Sequence, residues 1–310
     1  MFGWLYKIKL WWRGVSSIER KPAESPRRLE RIILADGVAR TLFDGFTEHR
    51  QSPRGDEEIG WILLGLRQEG IAIALAALPA GTQRDAGHAH IQFDSDAQEL
   101  ATRILRQKDK RLQIIGVVHT HPGSLRTPSD GDFHGDSQWV GQLRGEGVFG
   151  IGTADARAGE SPRDHRQVLG GLGFSWYVLG KGDRSYRELK VAVTSGPDLA
   201  LPVQPIWNVI ETFAKPIDNL CRQFAKVELG VIDVIGKTLL SVKISLAEQN
   251  QYIRVLLNDS DVQYYWDKEG ELIAIDPHES QPDRAVYLIL AELAKEPAAD
   301  ELEATTLAES

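Results

Sequence analysis

The stretch "VVHTHPGSLRTPSDGD", residues 117–132, places two histidines, a serine and two aspartates within reach of one another. Histidine nitrogens and carboxylate oxygens are standard ligands of a divalent transition metal. At the end of a strand, positions i and i+2 point to the same face, so His119 and His121 can converge on one point. Pro122 then stops further pairing and turns the chain. Ser129 suits a helix N-cap, which sets Asp132 in the first turn of the next helix, facing back toward the histidines. Two nitrogens and one carboxylate oxygen with a fourth position open form the ligand set of a catalytic zinc; structural sites favour four protein ligands, usually thiolates. On chemistry alone Asp130 rivals Asp132. Zinc lowers the pKa of a bound water to about 7, and such a site still needs a base. "EEIGWILLG" supplies one ahead of a buried apolar strand, where Glu57 and Glu58 are equal candidates.

These side chains need strands and helices to position them. The pattern becomes regular near residue 28, where "RLERIILA" reads as a strand and "DGVARTLFDGFTEHR" puts Val38, Leu42 and Phe46 on one helical face. "IGWILLGL" and "GIAIALAAL" read as neighbouring strands. "FDSDAQELATRILRQ" reads as a helix with Ser95 as its N-cap, and "LQIIGVV" as a buried strand ending at His119. "DFHGDSQWVGQL" is helical and "GVFGIGTA" a strand. Residues 155–170 are polar and rich in glycine and arginine, which predicts a long loop and a flap over the site. "GFSWYVLG" and "YRELKVAVT" are further strands. A linker over 196–205 leads to a helix, "IWNVIETFAKPIDNLCRQFAKVEL", divided by Pro216. Four strands follow, the last two joined by a tight hairpin at "KEG", and then a closing helix. Mixed strands and helices with long connections predict an α/β or α+β sandwich.

Composition narrows the function. With 310 residues, 42% apolar content and eight tryptophans, the chain has a real core. A net charge of −8 argues against nucleic acid, which calls for a basic surface. The single cysteine, Cys221, permits no disulfide within the chain and suits a reducing, cytoplasmic setting; its helical context reads as a small buried apolar residue. No apolar run is long enough to span a membrane. "MFGWLYKIKLWWRGV", with its tryptophans and lysines interleaved, fails as a signal peptide and reads as an amphipathic segment over 1–27. Residues 296–310 carry five acidic side chains and no basic one, which predicts a disordered tail.

His-x-His-Pro, six residues, Ser, two residues, Asp, with "EIGWILLG" upstream, resembles the signature of the JAMM (MPN-plus, JAB-domain) zinc metallopeptidases over roughly residues 28–195. The resemblance implies an α/β (α+β) fold: a JAMM/cytidine-deaminase-like sheet flanked by helices, with a smaller α+β domain over 206–295 that resembles nothing nameable. It implies His119, His121 and Asp132 as Zn2+ ligands, with Asp130 at the wrong spacing, and it selects Glu58 as the general base. Ser129 would hydrogen-bond the attacking water and then the oxyanion. The implied activity is hydrolysis of the amide bond after the C-terminus of a ubiquitin-like protein, by deconjugation or precursor processing. Bacterial deubiquitinase-like relatives stand beside activating and conjugating enzymes, some in antiviral operons, which makes those enzymes expected partners. The alternative is a non-catalytic MPN-type scaffold; a third reading is a sister branch associated with DNA repair. Other features are weaker: His88 and His90 read as a strand edge, and His134 and Asp136 as a solvated helix face, with support of the ligands as the second option.

Overall fold

The computed structural model describes residues 28–81 and 95–295, apart from 142, 144, 158 and 247–249. The tryptophan-rich start, His88 and His90, and the acidic tail lie outside the described residues.

The first sheet is built from β1 (Arg31–Ala35), β2 (Gly60–Gln68), β3 (Ile71–Pro79), β4 (Gln113–Thr120), β5 (Glu146–Thr153), β6 (Arg166–Leu169), β7 (Leu172–Gly180), β8 (Arg187–Glu188) and β9 (Lys190–Thr194). Its order is β6-β7-β5-β4-β2-β3-β1-β9, with β8 added to β7. Helices α1 (Asp36–Gln51), α2 (Ser95–Lys108) and α3 (Asp130–Val140) connect the strands. The stretch expected as one strand over 186–194 is two. β8 pairs with β7, the chain turns inward at the fully buried Leu189, and β9 pairs in parallel with β1 at the other side of the sheet. Val191 N–H donates to Asp164 O at 2.7 Å, so the sheet nearly closes on itself. Residues 155–170 are also not all loop, since β6 forms a hairpin with β7.

Each face of the sheet has its own cover. Val38, Leu42, Phe43 and Phe46 of α1 recur at helical spacing and seal one face, where Phe174 meets Phe43 edge-on with centroids 5.0 Å apart. On the other face α2 buries Ala97, Leu100, Ala101, Ile104 and Leu105. A bulge in β2 at Leu64/Gly65 depends on glycine, because a Cβ there would sit 1.8 Å from Ile73 O.

Residues 196–205 are stitched down. Asp198, 2% exposed, accepts from the N–H groups of Ala77 and Ala200, and Gly196 exchanges hydrogen bonds with Asp36 and Gly37 at the start of α1. A short 3-10 helix, Leu201–Ile206, leads into α4 (Trp207–Gln223), which runs unbroken through Pro216. The helix expected to reach residue 229 ends at Gln223. Val227 onward is strand β10 (Val227–Val234), because the alternating, β-branched "VELGVIDV" finds a full antiparallel partner in β11 (Lys237–Ser245). β12 (Gln251–Leu257), β13 (Val262–Lys268) and β14 (Glu271–Ile275) complete a five-stranded antiparallel sheet. Glu269 and Gly270, both at positive φ, make the tight "KEG" hairpin. This sheet, α4 and the closing α5 (Pro282–Leu293) share one buried cluster with α2 and the first sheet. Among the described residues no helix is long and apolar enough to cross a membrane.

Candidate metal centre

β4, α3 and β5 form a crossover unit in which β4 and β5 run parallel. The sequence motif lies at the carboxyl ends of these two strands. His119 lies at the end of β4 and His121 just beyond it, where His121 N–H still donates to Gly152 O of β5 at 2.8 Å; both are buried. Ser129 is the N-cap of α3 and forms a capping box with Asp132: Asp132 N–H donates to Ser129 Oγ at 3.2 Å, and Ser129 N–H donates to Asp132 Oδ2 at 2.6 Å. The cap fixes Asp132 in the first helical turn, aimed at the histidines.

Three ligand atoms therefore converge. His119 Nε2 and His121 Nε2 lie 3.1 Å apart; His119 Nε2 faces Asp132 Oδ1 at 3.1 Å and His121 Nε2 faces Asp132 Oδ2 at 3.3 Å. Zinc bonds of about 2.0–2.2 Å to nitrogen and oxygen put the edges of a tetrahedron at roughly 3.3–3.5 Å. The three residues fit a metal ion at that spacing, and they are the metal-competent group found among the described residues. His121 Nδ1–H donates to Leu125 O at 2.7 Å. That bond places the ring proton on Nδ1 and leaves the Nε2 lone pair facing the cage.

Electrostatics agree with the geometry. Burial works against a charged His119, but the Asp132 carboxylate, and then those of Asp136 and Glu58, outweigh it and raise its pKa. Burial likewise opposes an ionised Asp132, yet the two imidazoles and the Ser129 N–H hold its carboxyl well below the usual range.

Glu58, 4% exposed, lies just ahead of β2, whose Gly60 pairs with His119. Two residues from Gly60, it falls on the same side of the sheet as both histidines. The flanking backbone is fixed there: Thr120 N–H donates to Ile59 O at 2.9 Å, and Ile59 N–H to Thr120 Oγ1 at 3.0 Å. Glu57 instead takes an ion pair with Arg54 on the loop. Asp130 is exposed at the start of α3 and is not part of the convergent group.

The model of the prokaryotic homologs of the JAB domain matches residues 39–187. This stretch is a JAB domain. It takes in both histidines, Ser129, Asp132 and Glu58. The family includes metallo-isopeptidases, and the His119–His121–Asp132 group can hold a metal ion. Among solved structures, the chain is similar to the solution structure of protein DSY2949 from Desulfitobacterium hafniense, at 16% identity over 54% of this chain and 94% of that one, with a TM-score of 0.38. The curated proteins give no match.

Two features of the JAB domain were hidden in the sequence. Asp136 is not on a solvated face: it is 7% exposed, one turn beyond Asp132, and accepts from Tyr186 O–H at 2.8 Å. Burial pushes its pKa up to about 7. The i+4 spacing from Asp132 was the available signal, but nothing in it named Tyr186, fifty residues on. His134, by contrast, is exposed. The second feature is a buried arginine, Arg166, 2% exposed, within the stretch expected as a flap. Its guanidinium donates to Ser175 Oγ, Thr153 Oγ1 and Asp155 Oδ1, which ties that stretch to the sheet. Cys221 is half-buried beside Arg103, and burial raises its pKa, as suits a packing residue.

Proposed function

We propose that this chain is a zinc-dependent peptidase that hydrolyses the amide bond after the C-terminus of a ubiquitin-like protein, by deconjugation or precursor processing. The observation that carries the reading is the convergence of His119 Nε2, His121 Nε2 and the Asp132 carboxylate, whose Oδ1 faces one imidazole and Oδ2 the other at close to the edge length of a zinc tetrahedron, with Glu58 buried on the same side of the sheet. A zinc ion held by these three residues would supply Lewis acidity, acidifying water and polarising the scissile carbonyl.

The chain's own groups then divide the work. Glu58 takes the proton of the attacking water and later gives it to the departing amine, so one carboxylate serves as base and then acid. Ser129 Oγ accepts the Asp132 N–H, which leaves its hydroxyl hydrogen available for the oxyanion. No covalent enzyme intermediate is required. The JAB family match supports this substrate class, and a narrow, extended tail could lie beside the strand ends that carry the site. The expected partners are the ubiquitin-like protein or its conjugate, and the activating and conjugating enzymes of the same bacterial pathway, including an antiviral one; the expected setting is the cytoplasm.

The test is incubation with a ubiquitin-like fusion or conjugate, read by intact mass. Wild-type protein should release the tail at the expected bond, and chelator should stop it. Glu58→Gln should bind zinc as wild type does and lower turnover by 10²-fold or more, the scale of general acid–base catalysis. Wild-type turnover by Glu58→Gln would remove the base. Zinc binding with no hydrolysis of any ubiquitin-like substrate would favour the scaffold alternative.

A further inference from the structure

The six residues between Pro122 and Ser129 join the two halves of the cage, yet they have little packing of their own. Gly123, Ser124, Leu125 and Thr127 are exposed, Leu125 to 50%. Even so, the Leu125 carbonyl is the acceptor that orients His121. Something must hold that peptide unit still.

The neighbouring residue does. Arg126 Nε donates to Asp155 Oδ2 at 2.7 Å, and its terminal nitrogens donate to Glu160 Oε1 at 3.0 Å, Glu160 Oε2 at 3.3 Å and Asp155 O at 3.2 Å. Its own carbonyl accepts from Tyr177 O–H at 2.8 Å. The anchoring carboxylates are fixed in turn. Asp155 Oδ1 accepts from Thr153 Oγ1 at 2.7 Å and from the buried Arg166 at 3.1 Å. Glu160 Oε2 accepts from Arg157 N–H at 3.1 Å, and Arg166 Nε stands 3.6 Å from Glu160 Oε1. Two arginines and two carboxylates thus bracket the ligand loop onto β5, β6 and β7. A fork that grips two carboxylates at once is a property of guanidinium that ammonium lacks.

We propose that Arg126 is a positioning residue for the metal centre: clamped by Asp155 and Glu160 against buried Arg166, it holds the Leu125 carbonyl where it selects the tautomer and ring orientation of His121. This deepens the proposed function, since it rests on the cage being a metal site, but its central claim concerns His121 alone. Outer partners of ligating histidines typically contribute 10–100-fold to metal affinity, and the clamp makes the partner here a backbone carbonyl that no substitution of its own side chain removes.

The test uses the full chain labelled with 15N-histidine. In metal-free wild-type protein the His121 ring should show one pattern, protonated at Nδ1. Arg126→Ala should turn it into an exchanging mixture of tautomers and weaken zinc affinity, measured by chelator competition, at least tenfold. Arg126→Lys, with charge but no fork, should fall between the two. Thr127→Ala, on the same exposed loop, should match wild type. If Arg126→Ala fails to fold, Glu160→Gln carries the test, because it weakens one arm of the clamp; it too should mix the tautomers. An Arg126→Ala protein with the wild-type His121 pattern and zinc affinity within twofold of wild type would overturn the proposal. Wild-type protein that binds no zinc would overturn the metal reading alone, because the metal-free His121 pattern still decides the role of Arg126.

Discussion

Asp136 is the residue near the cage whose state the fold changes most. Sealed beneath Tyr186 and the rings of Phe133, Phe149 and Tyr177 that pack around it, its carboxyl is pushed up to about 7 by burial. Burial, and then the same carboxyl, also push the Tyr186 hydroxyl well up, so Tyr186 stays the donor. An aspartate with a raised folded-state pKa keeps its proton where the unfolded chain has released it. The contribution of Asp136 to the stability of metal-free protein should therefore fall as pH rises from about 4 to about 7 and then level off, by up to roughly 1.4 kcal/mol per pH unit. Asp136→Asn keeps an acceptor for Tyr186 and abolishes the titration. Denaturant unfolding across pH 4–8 should show the decline flattened in the variant, and an unchanged slope would contradict the assignment. His119, His121 and Asp132 could be picked out from sequence because their spacing matches the periods of a strand end and a helix turn. Asp136 was misread because its burial comes from Tyr186, on a distant loop.

At the scale of elements, the site is a strand end facing a helix start, with a capping box to set the angle between them. That local chemistry was readable, since Ser129 and Asp132 carry the signal within four residues. Elements that depend on remote partners were not. β10 continues the apolar spacing of α4 and became a strand only because β11 lies beside it; Gln107 of α2 then occupies its edge, donating to Val227 O and accepting from Leu229 N–H. The β10–β11 turn is itself strained. Ile235 stands at φ 50 and is 98% exposed, followed by Gly236 at φ 73, so a β-branched residue occupies a left-handed position with no packing in return. Ile235→Asn creates the Asn-Gly pair such a turn favours and should stabilise the protein by about 1 kcal/mol. A lower melting temperature for this variant would mean that the exposed isoleucine is held by contacts outside the hairpin.

For the molecule as a whole, the informative fact is the shared core. Leu100 and Ile104 of α2, Ile210 and Ile217 of α4, and Val242 and Ile253 of the second sheet belong to one buried cluster. Arg103 of α2 also pairs with Asp218 of α4 at 3.0 Å. Residues 206–295 are therefore a buttress of the JAB domain, whatever else they do. Unfolding should be a single transition with equal calorimetric and van't Hoff enthalpies. Ile253→Ala, far along the chain from the cage, should cost about 2–5 kcal/mol and lower the melting of the JAB domain with it. Two separable transitions, with only the later one moved by Ile253→Ala, would refute the common core.

The amino-acid sequence by itself determined the chemistry offered: two imidazoles and a carboxylate at fixed local spacing, a serine able to cap, two glutamates ahead of an apolar strand, and too few thiols for a thiolate cage. It also determined most strands and helices of the first sheet, because periodicity is a local property. Only the tertiary structure decided that Glu58, which the family resemblance selects, is buried on the side of the histidines, that Asp136 is shielded from water, that Arg166 pins the expected flap, and that the second sheet completes the first core. Each of these depends on which groups water can no longer reach, and that follows from contacts between residues far apart in the chain.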